Sequence, residues 1–277
     1  MKQPRILTVQ DISCVGQCSL TVALPIISAC GVETCVLPSA VLSTHTGGFT
    51  GYTFRDLTDD IPGILAHWKK EGIRFDAVYT GYLGSARQID LVEEIFSTML
   101  TEGGLKIVDP AMADGGKLYP GFDMAFAERM RGLSAHADIL LPNITEACLL
   151  TGTEYRETYD EEYINALSDR LLSLGVGTVV LTGVGYRPGK TGVLVRGRSG
   201  TCYYEHEKME KGCHGTGDVY ASAFTGALMN GFSVNDAARI AADYTLLCIR
   251  RTAGDPLHWY GARFEPAIPD LVRMLGK

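Results

Sequence analysis

Thr178-Val-Val-Leu-Thr-Gly183 is an apolar run in which polar and apolar positions do not alternate. Ile6-Leu-Thr-Val9 and Ile107-Val-Asp-Pro110 have the same character. A strand with one face in water alternates, whereas a strand covered on both faces reads as continuous apolar sequence. These runs therefore predict a buried, largely parallel sheet. Working outward, the sequence predicts strands at 6–9, 34–37, 77–79, 106–108, 139–141, 179–181, 192–195 and 201–204. Helix-period segments fall between most of them, near 19–30, 56–71, 87–101, 122–132, 145–151, 160–174, 217–229, 234–251 and 267–275. Strands that alternate with helices of this length form βαβ units, and so an α/β fold with a mostly parallel central sheet. Ser233 with Asp236 has the spacing of a helix start, and Gly231 follows the end of the preceding helix. No linker, repeat or composition break divides the 277 residues, so a single domain over 1–277 is expected.

Composition narrows the function. A net charge of −7 without a run of clustered Lys or Arg argues against nucleic acid as a partner. No stretch of 18 apolar residues suggests a membrane span, and MKQPRILTVQD does not read as a signal peptide. A cytoplasmic location is expected. The eight cysteines contain no CxxC pair and read as reduced thiols. The spacing of Cys14, Cys18, Cys30 and Cys35 is loose for structural zinc. Gly189-Lys190-Thr191 imitates the end of a phosphate-binding P-loop. However, Val184 stands where the motif needs glycine, and the segment continues as a strand, so Pro188-Gly189 reads as a hairpin turn.

The chemistry concentrates in Gly215-Thr216-Gly217-Asp218, which opens an alanine-rich helical segment. Unpaired N–H groups and the helix dipole make such a start an anion site, and glycine lets the backbone approach a ligand. Asp218 has two readings. It is either the helix N-cap or a base that takes the proton of an attacking hydroxyl while the amides hold the developing charge. Other polar turns follow strands. Asp109 and Asp114 lie in one loop, as turn residues or as Mg²⁺ ligands. Asn143 and Glu146 begin a helix, where Glu146 either complements the dipole or orients a metal-bound water. Thr182-Gly183 leaves room for a nucleotide against the backbone. The segment 44–51 and Tyr82 could line a pocket for a flat heteroaromatic ligand. In a parallel sheet the turns at 9–11, 79–82, 108–114, 141–146 and 181–183 share the carboxyl edge, where ligands of open α/β sheets bind.

The motifs HTG at 45–47, TGYLGS at 80–85, VDPAMADGGKLY at 108–119, LPNITEA at 141–147, VVLTG at 179–183 and HGTGDVYASAF at 214–224 span nearly the whole chain. Together they resemble the ribokinase-like superfamily, and within it the pyridoxal kinases. The resemblance implies a three-layer αβα sandwich, usually a homodimer, that moves the γ-phosphate of ATP to the 5′-hydroxymethyl group of pyridoxal, pyridoxine or pyridoxamine. It implies Asp218 as base and Gly215, Thr216 and Gly217 as the anion hole. Asn143, Thr182 and Gly183 would lie with Thr216 around ATP. Asp109, Asp114 and Glu146 would serve Mg²⁺, and Asp11, Thr46, Tyr82 and Asp218 the substrate. A monovalent cation such as K⁺ is left open. The chain departs from the pyridoxal kinase pattern at Asp11, where serine is usual, at Ala113 for glycine and at Leu141 for threonine. Asp11 resembles hydroxymethylpyrimidine kinases instead, although their Gly-Ala-Gly turn is replaced by Val15-Gly16-Gln17-Cys18. Hydroxymethylpyrimidine kinase is thus the nearest alternative, a sugar or nucleoside kinase the third, and a non-catalytic vitamer- or nucleotide-binding protein the fourth.

Overall fold

The structure is a computed structural model that describes residues 3–198, 200–209 and 212–277. In chain order the elements are β1 (Arg5–Ser13), α1 (Leu20–Ala29), β2 (Glu33–Leu42), β3 (Phe54–Asp56), α2 (Ile61–Lys70), β4 (Phe75–Thr80), α3 (Ala86–Thr98) and β5 (Leu100–Val108). There follow β6 (Ala113–Asp114), β7 (Lys117–Leu118), α4 (Met124–Ser134), β8 (Ile139–Leu140), α5 (Ile144–Thr151), α6 (Glu161–Ser173) and β9 (Thr178–Val184). The chain ends with β10 (Lys190–Gly197), β11 (Gly200–Glu207), α7 (Thr216–Met229), α8 (Val234–Thr252) and α9 (Ile268–Met274).

One nine-stranded sheet runs in the order β11-β10-β9-β8-β5-β4-β1-β2-β3. The pairs from β2 through β1, β4, β5 and β8 to β9 are all parallel. The edges are antiparallel, with β3 on β2 and β10 and β11 beyond β9. The 185–189 turn joins β9 to β10 as the hairpin that Pro188-Gly189 predicts, and no helix follows Lys190. β6 and β7 form a separate small hairpin that carries Asp114.

The sheet is covered on both faces, which explains its continuous apolar strands. Leu7 and Val9 pack into a core with Leu65, Ile89, Met130, Leu150 and Leu167, from the α2–α6 layer. Ile6, Ala77 and Ile107 pack into a second core with Ile26, Phe224, Ile240 and Leu271, from the α1, α7, α8 and α9 layer. This is the three-layer αβα sandwich that the resemblance implies.

Two boundaries differ from the sequence reading. β1 continues to Ser13, so Asp11 sits inside the strand at an irregularity between Gln10 and Ile12 rather than in a turn after it. The helix expected near 56–71 starts at Ile61, because residues 54–56 pair with the edge of β2 and Pro62 favours the first helical turn. Both differences come from strand pairing, which local periodicity does not record.

α1 and α7 approach closely where Gly226 faces Cys30. A Cβ on Gly226 would collide with the Sγ and Cβ of this fully buried cysteine. Gly226→Ala should therefore lower the thermal midpoint, because overpacking costs about 1–3 kcal/mol against the gain of about 1 kcal/mol in helix propensity. A midpoint equal to or above that of the wild type in a thermal melt would contradict this packing.

Candidate active site

α7 is aimed by its first residue. Gly215 is the N-cap in the left-handed conformation, with φ 74 and ψ 6, and no side chain caps the helix. A Cβ there would collide with the Gln17 carbonyl, so the chain passes this point only as glycine. The first α-helical bond of this turn is Val219 N–H to Gly215 C=O, at 2.9 Å. The amides of Thr216, Gly217 and Asp218 precede it and point out of the helix mouth. Asp218 is in the first turn and not at the cap, which removes the N-cap reading. Its carboxyl is pushed up to about 7, first by burial and then by the charge of Asp11, against a hydrogen bond from the Ser19 N–H.

Asp11 is buried, and its Oδ2 accepts from the Ser13 hydroxyl at 3.0 Å. Burial raises its pKa, while the hydroxyls of Ser19 and Ser13 pull it down. It is therefore no solvated turn residue. Tyr82 shares this region. Its ring lies 5.4 Å from that of Phe122, and its phenol is pushed up to about 12 by burial, then by Asp11 and Tyr52. Thr46 is exposed in the 43–53 loop, next to the buried His45.

Asp109, which follows a middle strand, lies within electrostatic reach of Glu146 and Asp218. Asp109 is buried at the end of β5, and its Oδ1 accepts from Ala111 N–H at 3.2 Å. Its pKa is raised by burial, then by Glu146 and Asp218. Glu146 is also buried and is raised, first by burial. Asn143 and Glu146 form a reciprocal capping box. Asn143 Oδ1 accepts from Glu146 N–H at 2.9 Å, and Glu146 Oε2 accepts from Asn143 N–H at 2.9 Å. Glu146 Oε1 takes Met112 N–H at 3.1 Å, and Asn143 Nδ2 donates to Ala113 C=O at 2.8 Å. Both side chains thus fasten the 109–114 loop to α5. Asp114 is exposed on the β6–β7 hairpin, with Oδ1 accepting from Gly115 N–H. Thr182 belongs to β9, and its hydroxyl donates to the Pro142 carbonyl at 3.3 Å. Gly183, with φ 76, is exposed beside it.

Among the described residues no group of three His, Cys, Asp or Glu side chains is placed to hold a metal ion unaided. Mg²⁺, however, commonly uses one or two carboxylates and takes its other ligands from water and phosphate. Asp109 fits that role, since a buried carboxylate facing two others lacks a counter-charge. Glu146 would act behind it, because its oxygens already serve backbone amides.

Two contributors are absent from the sequence reading. Tyr119 lies within the electrostatic reach of Glu146, Asp109, Asp114 and Asp218, and burial with these acids raises its pKa. The second is an aromatic clamp. His45 Nε2 lies 2.5 Å from the Tyr260 carbonyl, and its Nδ1 accepts from Gly47 N–H at 3.0 Å. This pairing assigns the proton to Nε2. Burial lowers the His45 pKa, so the ring stays neutral. Phe49 stands between His45 and Trp259, at 5.0 and 4.7 Å between ring centroids, and His214 is 5.4 Å from His45. The loops at 43–53 and 254–261 thereby close together beside Gly215. Nothing local in either loop signals the other.

Known proteins share this fold. A putative phosphomethylpyrimidine kinase from Bacteroides thetaiotaomicron, crystallised in a form with pyridoxal, superposes with a TM-score of 0.92 at 38% identity, covering 98% of this chain and 96% of that one. A pyridoxine/pyridoxal/pyridoxamine kinase from Bordetella avium is 29% identical over 266 residues, 88% of this chain and 85% of its own length. A hydroxymethylpyrimidine/phosphomethylpyrimidine kinase from Mycobacterium bovis is 28% identical over 257 residues, 90% of each chain. Residues 25–261 match the family described as phosphomethylpyrimidine kinase. The glycine-aimed helix, the acids at the carboxyl edge and this match over most of the sequence agree, and the chain belongs to the phosphomethylpyrimidine kinase family, with the ribokinase-like fold of pyridoxal kinases.

Proposed function

We propose that the protein transfers the γ-phosphate of ATP to the 5′-hydroxymethyl group of a B6 vitamer, with Asp218 as the general base. The observation that carries this reading is the position of the buried Asp218 in the first turn of a helix without a side-chain cap, within electrostatic reach of Asp11 and Asp109. Asp218 takes the hydroxyl proton as the oxygen attacks phosphorus. The amides of Gly215, Thr216 and Gly217 donate to the charge that spreads over the transferring group. Asn143, Thr182 and Gly183 border the nucleotide. Asp109, with Glu146 and Asp114, would hold Mg²⁺ brought in with the phosphates, and the ion would supply neutralising charge. Tyr82 and Thr46 border the ring, and Asp11 accepts from a ring N–H or an amine. Assembly as a homodimer and a cytoplasmic location belong to the same proposal. The B. thetaiotaomicron protein crystallised with pyridoxal supports the vitamer assignment.

A specific observation favours a second substrate, hydroxymethylpyrimidine. Asp11 is a buried carboxylate, and an aminopyrimidine offers it donors that the aldehyde of pyridoxal lacks. Pyridoxal, pyridoxine, pyridoxamine and hydroxymethylpyrimidine, each assayed with Mg-ATP for phosphorylated product, separate the readings. Highest kcat/KM on a B6 vitamer is the expected result. A clear preference for the pyrimidine replaces it with the second reading, and ATP-dependent product from none of the four removes both.

Asp218→Asn should lower kcat by about 10²–10⁴-fold while ATP binding persists. In the wild type the base form is lost below its raised pKa, so kcat/KM should fall as pH drops below about 7. Stability should respond in the opposite sense. A carboxyl raised from 3.8 to about 7 in the fold favours the neutral form, so the fold loses stability as pH rises between those values. Asparagine removes that cost, and the variant should gain on the order of 2–4 kcal/mol at pH 8, with the gain shrinking toward pH 4. Retention of more than about a third of wild-type kcat would remove Asp218 from the base role, given the usual size of that contribution.

Asp11→Ser should change the order of substrates rather than abolish transfer. A buried charged hydrogen bond is worth about 1.5–3 kcal/mol, so kcat/KM for pyridoxamine and the aminopyrimidine should fall roughly ten-fold or more relative to pyridoxal. An equal change across the four substrates would show that Asp11 only supports the strand.

A further inference from the structure

Tyr82 stands in the connection between β4 and α3, outside both elements. Among the described residues no hydrogen bond holds its side chain, so packing sets the orientation of its ring. The aromatic partner is Phe122, with ring centroids 5.4 Å apart and planes 30° apart. Phe122 in turn stacks on Phe126, at 4.0 Å and 1°. Phe126 is buried in the core between the sheet and the α2–α6 layer, and Phe122 is half-buried against it. Three rings thus connect that core to Tyr82, and the third comes from a segment 40 residues away in the chain.

Part of this arrangement has an ordinary cause. Asp123 caps α4, its Oδ1 accepting from Phe126 N–H at 2.9 Å, so Phe122 is the residue before the cap. An apolar residue there commonly packs on the first turn and fixes how the chain enters the helix. Any apolar side chain of suitable size would do that, and the contact with Tyr82 is not needed for it. Phe122 is also tied away from α4. Its N–H donates to the Tyr119 carbonyl at 3.2 Å, Tyr119 N–H donates to the Met112 carbonyl at 2.8 Å, and Met112 N–H donates to Glu146 Oε1 at 3.1 Å. The ring that meets Tyr82 therefore stands both on α4 and on the loop that follows Asp109. We infer that Phe122 is a positioning residue that braces Tyr82 as a wall of the ring pocket, so that affinity for a flat ring depends on a side chain acting through Tyr82. The inference rests on the kinase reading above, in which Tyr82 borders the substrate ring, and adds to it what holds that border in place. Pyridine and pyrimidine rings both present a π-face, so Phe122 sets affinity for all of them, whereas Asp11 ranks them.

Phe122→Leu keeps an apolar side chain and removes the ring. It should raise KM for all four substrates by a common factor, roughly two- to ten-fold for one aromatic pair, with kcat and the KM for ATP within about two-fold of the wild type. Phe122→Tyr keeps the ring and should restore KM. Because Phe122 acts through Tyr82, its loss should add nothing once Tyr82→Leu has been made, so the double variant should match Tyr82→Leu alone. An unchanged KM in Phe122→Leu, additive effects of the two substitutions, or a loss that Phe122→Tyr does not recover overturns the inference even in an active kinase. Direct titration of the wild type and Phe122→Leu with each of the four ring compounds, without ATP, separates the two readings. Weaker binding to Phe122→Leu, with no phosphorylated product from the wild type, upholds the bracing role and removes the kinase reading alone. Binding of none of the four to the wild type removes both.

Discussion

The left-handed turn at Gly215, pressed against the Gln17 carbonyl, is the constraint on which the rest of the site depends. It brings the chain into α7 with three amides facing outward and delivers Asp218 one turn into the helix. The Gln17 segment belongs to the connection between β1 and α1. Gln17 is itself anchored at long range, since its amide donates to Glu265 at 2.9 and 3.0 Å and its Oε1 lies 3.0 Å from His258. The start of the chain, the α7 mouth and the segment after α8 are thus held in one place.

The protein gathers acid where a phosphate has to go. Asp11, Asp109, Glu146 and Asp218 are each pushed toward the neutral form, with burial the largest cause in every case. No Arg or Lys pairs with them among the described residues, and the ion pairs all involve other carboxylates. Such a site destabilises the empty fold, because the buried carboxyls lack an opposite charge. It also has a use. A group poised near neutrality accepts a proton efficiently, and a cation arriving with phosphates meets an unsatisfied carboxylate.

The sequence made the sheet legible, because covering both faces forces apolar runs that no other arrangement needs. The strand-end motifs were legible for a related reason, since ligand sites of parallel sheets gather at one edge. Long-range pairing was not. Nothing local says that 54–56 will lie on the β2 edge, or that β1 runs on past Gln10 and carries Asp11 inward. Asn143 and Glu146 show a different limit. Their spacing is that of a capping box, and the structure has one, yet the proposed function also sets the same residues near Mg-ATP. A single carboxylate can fasten a loop and face a metal at once, so the structural and functional readings were not alternatives. The clamp of His45, Phe49 and Trp259 unites residues over 200 positions apart.

Substrate choice within this fold reduces to what faces the ring. The phosphoryl-transfer parts act on groups common to both candidate substrates, a hydroxymethyl group and a nucleotide, and so do not discriminate between them. In the proposed reaction, discrimination would fall to Asp11 and Tyr82. An aromatic wall accepts either heterocycle, because both are flat and both present a π-face. The buried carboxylate is more selective, because an acceptor without a donor costs more than a missing apolar contact. Its demand for a donor is met by a protonated pyridine nitrogen, by an amine or by an aminopyrimidine. Ser13 partly satisfies Asp11 in advance, which would lower the cost of an aldehyde-bearing ring that donates less. Such a pocket takes several related rings while ranking them by the donors they bring.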